Sequence, residues 1–179
     1  MRKLLVVLTA LLALSLTAAA QDYKKAQIFG GYSYFRLDTQ GTDSEANFHG
    51  WNAELQGNIN EALGIVADFS GHYKSQDILG ADVDSNVHNF LFGPRVTFRT
   101  ERFSPFVHAL FGVARSKASA LNFDVTDTNF AMALGGGIDY DVSENFAIRL
   151  AKADYLYVRG EDDGNSDNFR FSTGVVFRF

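Results

Sequence analysis

The chain closes on Phe169-Arg170-Phe171-Ser172-Thr173-Gly174-Val175-Val176-Phe177-Arg178-Phe179, and the fold is decided by how this stretch is read. Phe169, Phe171, Thr173, Val175, Phe177 and Phe179 alternate with Arg170, Ser172, Gly174, Val176 and Arg178. Side chains point to opposite sides at successive positions of a β-strand, so this period of two makes one large aromatic face and one small or cationic face. One such strand is equally at home in a soluble sandwich. The decision comes from its repetition.

Seven more segments alternate in the same sense. At 51–59, Trp51, Ala53, Leu55, Gly57 and Ile59 oppose Asn52, Glu54, Gln56 and Asn58. At 63–73, Leu63, Ile65, Ala67, Phe69, Gly71 and Tyr73 oppose Gly64, Val66, Asp68, Ser70 and His72, and at 88–98 Phe90, Phe92, Pro94, Val96 and Phe98 oppose Asn89, Leu91, Gly93, Arg95 and Thr97. Weaker versions occur at 26–37, where Phe29 and Phe35 blur the polar face, and at 105–114, where Phe106, His108, Leu110 and Gly112 form the inner set. At 130–140, Ala131, Ala133, Gly135, Gly137 and Asp139 oppose Phe130, Met132, Leu134, Gly136, Ile138 and Tyr140. At 146–157, Ile148 and Leu150 oppose Ala147, Arg149 and Ala151, but Lys152 and Asp154 then fall on the apolar side. Either a bulge resets the phase there, or the strand has already left the hydrocarbon.

The larger face is too aromatic for water, and the opposite face is too charged and glycine-rich for a sandwich core. Lipid outside and a narrow, filled polar interior satisfy both. Open sheet edges cannot be satisfied in hydrocarbon, so the sheet must close. The expected fold is therefore all-β, an eight-stranded antiparallel up-and-down transmembrane β-barrel, with a lipocalin-like soluble barrel as its competitor. Connections between the segments alternate in length: 38–47 long, 60–62 short, 75–86 long, 99–104 short, 116–127 long, 141–145 short and 159–167 long. That alternation suits short periplasmic turns, longer surface loops and both termini in the periplasm.

The N-terminus fits export. Arg2 and Lys3 precede an apolar run from Leu4 to Leu16, and Ala18-Ala19-Ala20 follows, so residues 1–20 are expected as a cleaved signal peptide and 21–179 as the barrel domain of the outer membrane of a Gram-negative cell. An uncleaved anchor would need a longer apolar run. The absence of cysteine excludes a lipoprotein signal and any disulfide framework. Without Arg2 and Lys3, 14 basic residues face 21 acidic ones, a net charge of −7 that argues against nucleic acid as a partner.

The chain resembles the outer-membrane protein A-like β-barrel superfamily, in particular its single-domain outer membrane protein β-barrel members. The pieces that carry the resemblance are Phe29-Gly30-Gly31-Tyr32-Ser33-Tyr34, Gly93-Pro94-Arg95, Ser104-Pro105-Phe106, Leu134 to Tyr140, Ile148-Arg149-Leu150, Asp154-Tyr155 and Gly174 to Phe179. The resemblance implies that Val175, Phe177 and Phe179 form the signal read by the barrel assembly machinery, after delivery by periplasmic chaperones. It also implies ion pairing inside the lumen among Glu54, Asp68, Arg95, Asp139, Arg149 and Arg178. The resemblance covers the barrel alone, so the peptidoglycan grip of the second domain of full-length members is not expected to carry over.

Each remaining candidate has a plainer reading beside it. A conducting lumen is opposed by geometry, since side chains can fill an eight-stranded interior. Asp38, Asp43 and Glu45, then Asp77, Asp82 and Asp84, and above all Glu161-Asp162-Asp163-Gly164-Asn165-Ser166-Asp167 could hold Ca²⁺, although acidic loops usually stay solvated. His72, Ser75 and Asp77 carry the residue types of a lipid A deacylase, but alternation turns His72 inward. His49, His72, His88 and His108 lie on separate strands and lack zinc spacing. Gly135-Gly136-Gly137 precedes no helix, so close strand packing replaces phosphate binding as its role. Tyr32, Tyr34, Trp51, Tyr73, Phe98, Tyr140 and Phe179 suit two interfacial belts.

The expectation is a monomeric envelope barrel without catalytic residues, cofactor or metal, in contact with outer-membrane lipid and lipopolysaccharide. A surface adhesion barrel is the alternative, and a lipid A-modifying enzyme stands behind it. Strands prolonged above the membrane would mark the adhesion type; the short Asp/Gly/Ser-rich connections favour the envelope reading. Deleting Phe179 is expected to lower the amount of assembled outer-membrane protein. Undiminished heat-modifiable protein in membrane extracts of the deletion strain would remove the terminal residue from that role.

Overall fold

The computed structural model describes residues 23–38, 46–78, 81–120, 123–159 and 166–179. Eight strands run in order: β1 (Ala26–Asp38), β2 (Ala46–Asn58), β3 (Leu63–Ile78), β4 (Ala81–Thr97), β5 (Phe103–Ala120), β6 (Phe123–Asp141), β7 (Phe146–Val158) and β8 (Ser166–Arg178). Each pairs antiparallel with its sequence neighbour, and β1 pairs with β8 to close the barrel. The expected up-and-down topology is the one observed. The signal segment 1–20 lies outside the described residues, as do Asp43, Glu45 and 161–165.

The closing seam joins the two chain ends. Gln27 sits opposite Arg178, and Tyr32 opposite Thr173. The Lys25 amide donates to the Phe179 carbonyl at 2.8 Å, and the Phe179 amide donates to the Ala26 carbonyl at 2.9 Å. Asn145 of the neighbouring turn holds the other side, its amide nitrogen Nδ2 donating to the Arg178 carbonyl at 2.7 Å. Both lateral neighbours thus satisfy the last residues of β8, as a strand in hydrocarbon requires.

Burial follows the sequence alternation. Phe29, Glu54, Asp68, Arg95, Leu110 and Arg149 are buried, while Leu55, Phe92, Phe111, Phe130, Phe171 and Val175 are exposed on the outer wall. The belts form at its two ends. At one, Tyr32 bonds His49, Tyr34 donates to Asn47 Oδ1 at 2.8 Å, and Tyr73 meets both Trp51 and His88. At the other, Phe103 packs on Tyr140 and Phe177 on Phe179. These rings keep an apolar body in lipid and, for Tyr and Trp, a polar tip at the interface.

Strand β7 contains the expected phase reset. Its pairing with β8 shifts between Arg149 and Lys152, and its pairing with β6 shifts at Ile138/Asp139. Leu150 and Ala151 both face outward, after which Lys152, Asp154 and Leu156 are buried. The inward place expected for Ala151 is therefore corrected. The alternative in which the strand had left the hydrocarbon is also set aside, because Lys152 points into the lumen.

Two connections are not loops. β3 and β4 stay paired as far as Ile78↔Ala81, and β5 and β6 as far as Ala120↔Phe123. The expected long loops at 75–86 and 116–127 are thus strand extensions. Val83, Phe123, Val125 and Thr126 supply β-prone residues within them, but the intervening Asp and Ser hide the strands from a hydropathy reading. β4 pairs with β5 up to Asp84↔Ser119, so β3–β6 continue together as one four-stranded sheet.

The glycine run in β6 makes room for an aromatic ring. A Cβ on Gly137 would collide with the Phe106 ring and the Ala151 carbonyl. Gly137→Val is expected to cost about 1–3 kcal/mol through overpacking. Urea unfolding in phospholipid vesicles measures it, and an unchanged midpoint would show that Phe106 moves aside freely.

The charged lumen as candidate functional site

Alternation brings charged side chains from β2, β3, β4, β6, β7 and β8 to the barrel axis. Burying ions in a low-dielectric interior is tolerable only where each finds opposite charge and hydrogen bonds. Here five carboxylates (Glu54, Asp68, Asp139, Asp141, Asp154) meet five cations (Arg95, Arg149, Lys152, Arg170, Arg178).

Toward the end that holds the termini, Arg178 Nη1 donates to Asp141 Oδ1 at 2.6 Å and approaches Asp139 through Nη2 at 3.7 Å. Arg149 grips Asp139 with Nε and Nη2 at 2.8 and 3.2 Å, a two-toothed geometry that fixes both planes. Its Nη1 donates to Glu54 Oε2 at 2.6 Å. Arg95 reaches the same oxygen at 2.8 Å and donates to Gln56 Oε1 at 2.9 Å. The Phe106 ring lies against both guanidinium groups, 4.2 Å from Arg95 and 4.5 Å from Arg149, and Phe29 lies 4.2 Å from Arg149. Aromatic rings thus attract each of the two guanidinium groups, which share Glu54 Oε2.

Lys152 is the hub of the next layer. Its ammonium contacts Glu54 Oε1 at 2.5 Å, Asp68 Oδ2 at 2.6 Å, Asn52 Oδ1 at 3.0 Å and Asp154 Oδ2 at 3.4 Å. Arg170 spans Asp68 and Asp154, donating at 2.8 Å to Asp68 Oδ1 and at 2.6 Å to Asp154 Oδ2. His108 Nε2 lies 2.8 Å from Asp154 Oδ1, and its Nδ1 lies 3.2 Å from Arg95 Nη2. Arg95 can only donate, so Nδ1 accepts and the ring proton sits on Nε2, facing Asp154.

Beyond this layer the lumen turns apolar. Phe35, Phe48, Leu91, Leu110 and Leu156 pack with Ala114, Ala131 and Ala133 into a second plug. His72 borders it, with Nε2 2.9 Å from Ser33 Oγ and its ring 5.1 Å from that of Phe35. The side chains of Ser75 and Asp77 lie outside the described ones, as do those of the acidic loop candidates. His49 and His88 are engaged separately by Tyr32 and Tyr73 on the outer wall.

All six expected lumen residues therefore meet in one network. Four further members escaped the sequence reading, one of them Asp141, which falls in the expected 141–145 turn and takes Arg178 Nη1. Lys152 and Asp154 were hidden by the bulge, although two charges on a lipid-facing parity were the signal that it existed. Arg170 was assigned an inward face but no partner, because nothing in sequence spacing links β8 to Asp68 on β3. Val175, Phe177 and Phe179 are exposed on the outer wall of the last strand, next to the seam.

A closed antiparallel barrel with lipid-facing aromatics and a charged, filled axis defines an integral outer-membrane β-barrel. The chain belongs to the outer membrane protein beta-barrel domain family, whose model matches residues 6–179. No curated protein sequence matches it. Its fold is similar to that of the attachment invasion locus protein of Yersinia pestis, at 21% identity and TM-score 0.65 over 88% of this chain and 99% of that one. It is also similar to Neisserial surface protein A, at 15% identity and TM-score 0.71 over 86% and 97%. The N-terminal barrel of Pseudomonas aeruginosa OprF follows at 14% identity and TM-score 0.54 over 87% and 98%.

Lys152→Met is expected to destabilise the barrel by about 3–5 kcal/mol, because Glu54, Asp68 and Asp154 then share too few cations. Combining it with Glu54→Gln should cost less than the two changes summed. Additive costs in equilibrium urea unfolding would show that Glu54 and Lys152 are not coupled.

Proposed function

We propose that this protein is a non-conducting, non-catalytic scaffold of the outer membrane that presents a rigid sheet for contact at the cell surface. The projecting β3–β6 sheet carries this reading. A tilted membrane strand needs roughly 9–11 residues, and β3–β6 have 16, 17, 18 and 19, against 13 in each of the other strands. Against the 13-residue strands of the same barrel the surplus is three to six residues per strand, about 10–20 Å of paired backbone. Prolonged strands are the feature that separates a contact barrel from a purely structural one, so the preference moves from the envelope role to the surface role.

In this reading the three short turns and both termini face the periplasm, and the sheet faces outward. Arg115 and Lys117 on β5 point out above Phe111 and Val113, beside Thr128 and Thr126 of β6. Cations at that height suit the phosphates of lipopolysaccharide. The ionic layers and the apolar plug both oppose an open pore. The inward turn of His72 toward Ser33 opposes a catalytic rim.

The likeness to the attachment invasion locus protein is one of fold, and the reading rests on the sheet instead. It is tested by shortening both hairpins, so that β3–β4 turn at Lys74/Ser85 and β5–β6 at Arg115/Thr128. The expected outcome is a heat-modifiable barrel at normal abundance whose cells attach to surfaces no better than the deletion strain. Full attachment by the shortened barrel would defeat the surface role, and large stable steps in planar-bilayer recordings would defeat the closed lumen.

A further inference from the structure

At the end of the barrel that holds the termini, the three short turns and the segment before β1 surround a cavity of about 750 Å³. It lies below the ionic layers and takes no part in the surface role. Arg99, in the β4–β5 turn, is partly buried, and its Nε donates to the Glu61 carbonyl at 3.0 Å. Its Nη2 is buried and has no acceptor among the described residues. Arg178 also lines the cavity, only 4% exposed; Asp141 takes its Nη1, and its Nε likewise lacks an acceptor. Asp141 is committed, since Ser104 Oγ also donates to it at 2.9 Å.

Two guanidinium groups on one cavity wall repel each other, and donors left without acceptors there are costly. Burial first, and then the charge of Arg178, push the Arg99 guanidinium below its usual range. An oxyanion seated against the two guanidinium groups would offset their repulsion through charge-assisted hydrogen bonds. The rim carries both signs: Glu61, Glu101 and Glu144 lie exposed on the turns, and exposed Arg102 and half-buried Lys24 line the same cavity. A ligand of one sign would match only part of such a rim, whereas a ligand carrying both signs meets a partner for each.

We propose that this mouth binds a small zwitterion of the amino-acid or short-peptide type, with its carboxylate on Arg99 and Arg178 and its ammonium toward Glu61 and Glu144. The site needs nothing from the hairpins and nothing from the barrel's orientation.

The test uses protein purified from outer membranes of cells fed ¹⁵N-arginine and reconstituted in phospholipid nanodiscs. Its arginine Nε–H resonances are followed by NMR during titration with glycylglycine, sodium acetate and inorganic phosphate. Glycylglycine is expected to shift the Arg99 and Arg178 signals saturably, with a Kd about twofold to fivefold below that of acetate, the gain expected from one exposed ion pair. Arg99→Gln should abolish the shift, and Glu144→Gln should erase the preference over acetate, both with heat-modifiable migration retained. Glu144 is an exposed turn residue, so its variant remains readable even if Arg99→Gln refolds poorly. The proposal is overturned by any of three results: no saturable shift, an undiminished preference in Glu144→Gln, or phosphate binding as tightly as glycylglycine.

Discussion

A backbone N–H or C=O placed in hydrocarbon has no water to turn to, and the rest of this structure depends on that fact. It forces β1 onto β8, and it explains why the final residues are clamped by Lys25 and Ala26 on one side and Asn145 on the other. Closure in turn creates an interior that lipid cannot enter. The hydrophobic effect gives little drive for filling it with apolar groups alone, since the outer wall already meets an apolar solvent. Charge pairing takes up part of that role, and the apolar plug around Leu110 completes it.

The interior therefore behaves as a balanced electrostatic object. Glu54 receives Arg95, Arg149 and Lys152, and Asp68 and Asp154 share Lys152 and Arg170. Each cation touches more than one acceptor, so the loss of one strands several partners. The phenylalanines at 29 and 106 belong to the same object, because Phe106 lies against Arg95 and Arg149 and Phe29 against Arg149.

Much of this was legible in the chain. Period-two alternation is a local property and survives folding, so Trp51 to Ile59 and Phe169 to Phe179 could be assigned to faces directly. Glu54 and Arg95 could be placed inside for the same reason. The pairing of particular charges was not legible, because Lys152 and Asn52 stand 100 positions apart and meet only through closure and shear. The projecting hairpins were missed for another reason. A strand that runs past the hydrocarbon, as the proposed surface role has it, meets lipid on neither face, so residues 75–78 and 81–84 lose their alternation contrast while keeping their ladder.

The division of charge between the two halves of the chain carries a consequence for assembly. Strands β1–β4 bring Glu54, Asp68 and Arg95 to the axis, one negative charge in excess. Strands β5–β8 bring Arg149, Lys152, Arg170 and Arg178 against Asp139, Asp141 and Asp154, one positive charge in excess. A half-formed barrel thus holds an unmet charge that only the other half, in correct register, neutralises. A slip of two residues along the seam would keep every face correct and still pull Lys152 away from Glu54 and Asp68. The lumen works as a register lock, reading alignment errors to which the lipid-facing wall is blind.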